Sequence, residues 1–113
     1  MKLFQEKPVV HQYQKAVEFV NEFQLGAGDF ILATKTIYET YFQGLVNGAT
    51  VKFKADYGNG EPTDIMLDAL LQDFRQGDYK RVIAIGGGAV LDMAKILLLK
   101  TDLSSTTHVY AIR

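Results

Sequence analysis

Three consecutive glycines, Gly86, Gly87 and Gly88, follow an apolar run in the stretch RVIAIGGGAVLDMAKILLLK, residues 81–100. Glycine has no Cβ, so a backbone made of it can approach a ligand that other residues would hold away. A helix opening directly behind the triplet would add unpaired N–H groups and a partial positive charge, which together seat a phosphate. The competing reading is a tight strand-to-helix turn. One glycine suffices for such a turn, and each extra one costs about 0.5–1 kcal/mol relative to alanine in regular structure. The triplet therefore reads as an anion seat. Its spacing is neither Gly-x-Gly-x-x-Gly nor a P-loop, since no Gly-Lys-Ser/Thr follows.

Asp92 and Lys95 break the apolar run behind the triplet. Three positions apart, they share one face of a helix that is otherwise apolar nearly all round, the pattern of an element buried on most sides. On a surface such a pair is worth a few tenths of a kcal/mol. Facing a cleft, the carboxylate would meet a sugar hydroxyl or amide and the lysine would hold it. Position alone does not choose between the two. The remaining inventory is sparse. His11 and His108 lie in different segments without ligand spacing and read as ordinary edge-strand residues, and there are no cysteines. No metal ligand and no catalytic residue is assigned. A formal net charge of −1 gives no broad attraction to nucleic acid or anionic lipid.

The elements that must position the triplet follow from periodicity. Val9 and Val10 form a short extended piece after Pro8. Ala16, Val17, Val20 and Phe23, with Phe19 beside them, predict a helix from about Gln14, closed by Gly26 and Gly28. Gly26-Ala27-Gly28 precedes a strand and so is a helix stop, not a dinucleotide fingerprint. FILAT, residues 30–34, is unbroken and apolar, as in a parallel strand buried on both faces. Tyr38, Tyr41, Phe42 and Leu45 then mark the core face of a second helix. Val51 and Phe53 alternate with Lys52 and Lys54 in the next strand. DYGNGEPTD is a loop; Thr63 is the expected N-cap of a helix burying Leu67, Leu70, Leu71 and Phe74 and stopped by Gly77. YKRVIAIG and HVYAI complete the strands. Strands alternating with helices predict one α/β domain over residues 1–113, an open Rossmann-like parallel sheet with helices on both faces. In such a sheet ligands sit outside the carboxyl ends of the strands, which is where the triplet falls. MKLFQEKPVV lacks the apolar core of a signal peptide and no run is long enough to span a membrane, so a cytoplasmic setting is expected.

GGGAVLDMAK resembles the Gly-Gly-Gly-Ser-x-x-Asp-x-x-Lys signature of the iron-containing (group III) alcohol dehydrogenase family. YGNGEPTD, GDFIL and IAIGGG are also similar to that family, most closely to its 4-hydroxybutyrate dehydrogenase branch, and the similarity runs from about Val9 to Lys100. The resemblance implies an N-terminal domain that binds NAD or NADP, with Gly86, Gly87 and Gly88 as the pyrophosphate turn, Ala89 in the place of the usual serine, and Asp92 near the nicotinamide, followed by Lys95. Relatives commonly carry an acidic residue past an early strand to meet the adenosine ribose. Thr34 and Lys35 stand about there, and a cation tolerates or prefers a 2′-phosphate, which sets NADP beside NAD as the cofactor.

The family's reaction is hydride transfer between an alcohol carbon and nicotinamide, assisted by a divalent metal, iron or zinc, held by an aspartate and three histidines of a separate helical C-terminal domain. That ligand set has no counterpart in this sequence, nor has the Thr-Thr-x-Gly-Thr-Gly-Ser-Glu segment. The expectation is a cofactor-binding part of a dehydrogenase acting on a short hydroxy acid or alcohol, inactive alone. A stand-alone, non-catalytic nucleotide- or phosphate-binding module is the alternative. Without a second lobe the apolar stretch Ile96–Leu99 is expected to be bare, which predicts self-association into a homo-oligomer.

Overall fold

The computed structural model describes residues 9–11, 16–101 and 107–110. Five parallel strands form one sheet, in the order β1 (Val9–His11), β5 (Thr107–Tyr110), β4 (Arg81–Ile85), β2 (Asp29–Ala33), β3 (Thr50–Phe53). Helices α1 (Ala16–Phe23), α2 (Lys35–Tyr41), α3 (Asp64–Arg75) and α4 (Gly88–Leu99) fill the crossovers. No helix among the described residues is long and apolar enough to cross a membrane.

Unbroken apolar runs become the two central strands because both of their faces are covered. Phe30 and Leu32 of β2, with Val82 and Ala84 of β4, point into a cluster with Leu70 of α3 and Met93 and Leu97 of α4. The alternate residues Ile31, Ala33, Ile83 and Ile85 point the other way, onto Phe19 of α1 and Tyr38 of α2. Each large side chain fully buried in these clusters contributes about 1.5–3 kcal/mol relative to exposure. β3 is an edge strand with all four residues half-buried, which is why its sequence alternates.

The strand order contains one reversal. From β2 the chain steps outward to β3, crosses back over β2 to β4, and continues in that direction to β5. Helices α1 and α2 therefore pack on one face and α3 and α4 on the other. The reversal lies between neighbouring strands β2 and β4, whose outgoing helices α2 and α4 leave on opposite sides and open a crevice at the carboxyl ends.

Several expectations need correction. Helix α1 stops at Phe23 because Gln24, not Gly26, takes the left-handed conformation (φ 51°); the predicted start near Gln14 lies outside the described residues. Helix α2 ends at Tyr41, so Leu45 falls beyond it; Tyr38 and Phe42 are core, whereas Tyr41 and Leu45 are exposed. In α3 Met66 is buried along with Leu70 and Phe74, while Leu67 and Leu71 pack at the cluster margin. The Thr63 cap is present, its Oγ1 accepting from the Met66 N–H at 3.2 Å. The bare surface expected over Ile96–Leu99 is not there: Leu97 and Leu98 are core and only Leu99 stands out. A helix packed on both α3 and the sheet has little apolar face to spare. His108, read as an edge residue, belongs to β5, which is flanked by β1 and β4.

Candidate functional site

Register fixes which residues share the carboxyl edge. Ala33 is level with both Ile85 and Phe53, so Thr34 and Lys35 past β2, Lys54 past β3 and Gly86–Gly88 past β4 emerge side by side. The Thr34 N–H donates to the Ile85 carbonyl at 2.9 Å, extending the β2–β4 ladder one step into the crevice floor.

The three glycines are not equivalent. Gly86 is buried with φ 145°, and a Cβ there would lie 2.4 Å from Thr34 Oγ1 and 3.2 Å from Thr34 Cβ. Its glycine is required by the fold, because neither the backbone angle nor the space admits a side chain. Gly87 and Gly88 are exposed, and a Cβ on either would meet none of the described residues within 4 Å. Gly87 has φ −98° and ψ −161°, an extended conformation open to any residue. Nothing among the described residues explains the absence of side chains at these two positions. Gly87 caps α4, its carbonyl accepting from the Leu91 N–H at 3.1 Å. The N–H groups of Gly88, Ala89 and Val90 find no partner among the described residues, as the first turn of a helix dictates. Bare amides, missing side chains and the positive end of a twelve-residue helix meet at the crevice mouth.

Asp92 and Lys95 are both exposed on the first two turns of α4, and neither joins an ion pair among the described residues. The two side chains do not pair with each other in this structure. Ala89, half-buried, contributes its amide and no hydroxyl. On the β3 side, Lys35 carries its Nζ 5.9 Å from the centre of the Phe53 ring, a cation–π distance. The residue immediately past β2 is Thr34, with Lys35 one step on as the first residue of α2. Lys54 donates from Nζ to the carbonyls of Gly58 (3.3 Å) and Gly60, clasping the loop that leads into α3. Strand alternation alone makes Lys54 an outward-facing residue and gives no sign of this clasp.

Two other polar arrangements lie away from the crevice. At the amino edge, buried Asp29 accepts from Arg81 Nε (2.7 Å) and Nη2 (2.9 Å) and from the Gly26 N–H (2.8 Å), while Arg81 Nη2 also reaches the Phe23 carbonyl at 2.9 Å. This fork-on-fork pair ties α1 to both central strands and is structural. A shallow depression of about 370 Å³, lined by residues that include Arg75, Tyr79 and Lys100, opens at the far ends of α3 and α4. It is remote from the glycine turn. Among the described residues no three histidine, aspartate or glutamate side chains come together as a metal site.

Comparison with known proteins adds to this geometry. The profile of the iron-containing alcohol dehydrogenases matches residues 2–111. The 4-hydroxybutyrate dehydrogenase of Clostridium kluyveri is 42% identical over 100 residues, covering 88% of this chain and 27% of that protein. The crystal structure of a probable glycerol dehydrogenase from Sinorhizobium meliloti 1021 superposes with a TM-score of 0.63 at 12% identity, over 94% of this chain and 28% of its own. The latter likeness is one of fold. The chain thus spans about a quarter of the length of each of these relatives.

Proposed function

The chain belongs to the iron-containing alcohol dehydrogenase family, and from that premise we propose that residues 1–113 form the dinucleotide-binding domain of a metal-dependent dehydrogenase. The reaction proposed is hydride transfer between nicotinamide and a short hydroxy acid or alcohol of the 4-hydroxybutyrate type. One observation carries the cofactor reading. Gly87 and Gly88 lack side chains for no reason found among the described residues, at a helix N-terminus bordering the crevice where the strand order reverses.

The residues present fit a dinucleotide. The amides of Gly88 and Ala89 would receive the pyrophosphate, with Gly87 giving the close approach and Gly86 holding the turn against Thr34. Asp92, exposed and outside any ion pair of the described residues, would meet the nicotinamide half. Lys35, beside Thr34 where no carboxylate stands, would face the adenosine ribose and favour a 2′-phosphate, making NADP the preferred form. When bound, the nicotinamide supplies the hydride acceptor. Polarisation of the alcohol oxygen by iron or zinc would fall to a second, helical domain, as the family's architecture implies. This domain's own share is to bind and orient the cofactor.

Calorimetric titration with NAD(H), NADP(H) and ADP tests the reading. Dinucleotides should bind more tightly than ADP, and Gly87→Val should lose that binding with an unchanged circular dichroism spectrum, because its Cβ projects into open space. Equal binding of ADP, or indifference to Gly87→Val, would point to the stand-alone nucleotide module instead. Lys35→Asp should move the NADP/NAD affinity ratio at least about tenfold toward NAD, the equivalent of ~1.4 kcal/mol. An unmoved ratio places the ribose elsewhere.

A further inference from the structure

The loop clasped by Lys54 contains an Asn-Gly step, Asn59-Gly60, and we propose that this peptide is a site of spontaneous deamidation in the folded protein. The chemistry is intramolecular. The Gly60 amide nitrogen, giving up its proton to solvent base, attacks Asn59 Cγ. A new C–N bond forms, the bond from Cγ to Nδ2 breaks and ammonia leaves, giving a five-membered succinimide. Water then adds across either imide C–N bond, leaving an aspartyl or an isoaspartyl residue at position 59. No oxidant or further reactant is required.

Three observations make this step the reactive one. A side chain on the following residue would obstruct the attack, and Gly60 has none; a Cβ there would in any case meet nothing within 4 Å, so space surrounds the nucleophile. Both residues are exposed to the water and base the reaction consumes. The Gly60 N–H donates no hydrogen bond among the described residues, whereas the carbonyls on either side of this peptide, Gly58 O and Gly60 O, are held by Lys54 Nζ. The clasp anchors the flanks and leaves the 59–60 peptide free to turn onto its own side chain. The other asparagines are placed differently. Asn47 also precedes a glycine, but a Cβ on Gly48 would lie 3.4 Å from Ala27 N, so that peptide rests against the neighbouring loop. Asn21 precedes Glu22 inside α1, where helical geometry holds the backbone away from the attack conformation. The isoaspartyl product places an extra methylene in the main chain between two carbonyls bound to one ammonium, so it also opens the clasp.

Incubation of the folded protein at mildly alkaline pH and 37 °C, followed by peptide mass mapping and isoaspartyl-specific methylation, tests the proposal. Position 59 should gain the amide-to-acid mass change at about the rate seen in the urea-unfolded protein, with Asn47 lagging and Asn21 unchanged. Isoelectric focusing should show one added negative charge on a protein of formal net charge −1, and Asn59→Gln should abolish that band. Protection of position 59 in the folded state relative to the unfolded one, or conversion of Asn47 ahead of it, would overturn the proposal.

Discussion

At the scale of single residues, the glycine triplet divides into one member that the fold requires and two that it does not, and that division is testable. Gly86 combines φ 145° with a Cβ position 2.4 Å from Thr34 Oγ1. Rotation of the threonine would move Oγ1 away but would change neither the 3.2 Å approach to Thr34 Cβ nor the backbone angle, which L-residues rarely adopt. Gly86→Ala should therefore destabilise the fold by about 1–3 kcal/mol, read as a lower urea midpoint with unchanged slope. Gly87→Ala should leave that midpoint in place, since its backbone is extended and its Cβ site empty. Equal losses at both positions would mean that the turn is strained as a whole. None of this was legible in the sequence, where three identical letters stand together. The run announced a strand-to-helix turn, but which member meets Thr34 depends on the pairing of β2 with β4, a contact between segments about fifty residues apart.

Elements were easier to read than their junctions. β2 and β4 declared themselves by unbroken apolar runs and α3 by the Thr63 cap, because those signals are local. The stop of α1 at a left-handed Gln24 and the exposure of Tyr41 have no such local signal, since tertiary packing decides both. Another such junction joins the loop after β3 to α3: the Tyr57 hydroxyl donates to Asp73 Oδ2 at 2.7 Å. Burial, reinforced by this hydrogen bond and the charge of Asp73, raises the Tyr57 pKa far above its ordinary value of 10.0. The unfolded state keeps that ordinary value. The stabilisation is thus complete below about pH 10 and declines as pH climbs past it, because only the unfolded state then releases the proton. Tyr57→Phe should cost about 1 kcal/mol near neutrality and should show a shallower loss of stability between about pH 9 and about pH 11. Burial raises Tyr38 as well, so part of the alkaline slope should survive the substitution. An identical slope in variant and parent would show that Tyr57 ionises freely in the fold.

For the whole molecule, the question is whether its surface sustains self-association. The expectation of a homo-oligomer rested on a bare Ile96–Leu99 stretch, yet two of those leucines are in the core. The large apolar side chains left exposed among the described residues are Val17, Tyr41, Leu45, Ile65 and Leu99. Ile65 opens α3 and Leu99 closes α4, helices that run in the same direction, so the two most exposed of them lie at opposite edges of the sheet. Side chains scattered singly are normal for a monomer. A stable interface needs roughly 1,000 Å² with a contiguous core, and association costs at least about 4 kcal/mol before any net affinity appears. One leucine and its neighbours return about 2 kcal/mol. The free edge of β3 is another route, and Lys52 within it, with Lys54 just beyond, is the kind of residue that discourages strand pairing. Light scattering of this protein should accordingly give the monomer mass across the micromolar range, and Leu99→Lys should leave it unchanged. A stable dimer that Leu99→Lys dissociates would show that the end of α4 carries an interface after all.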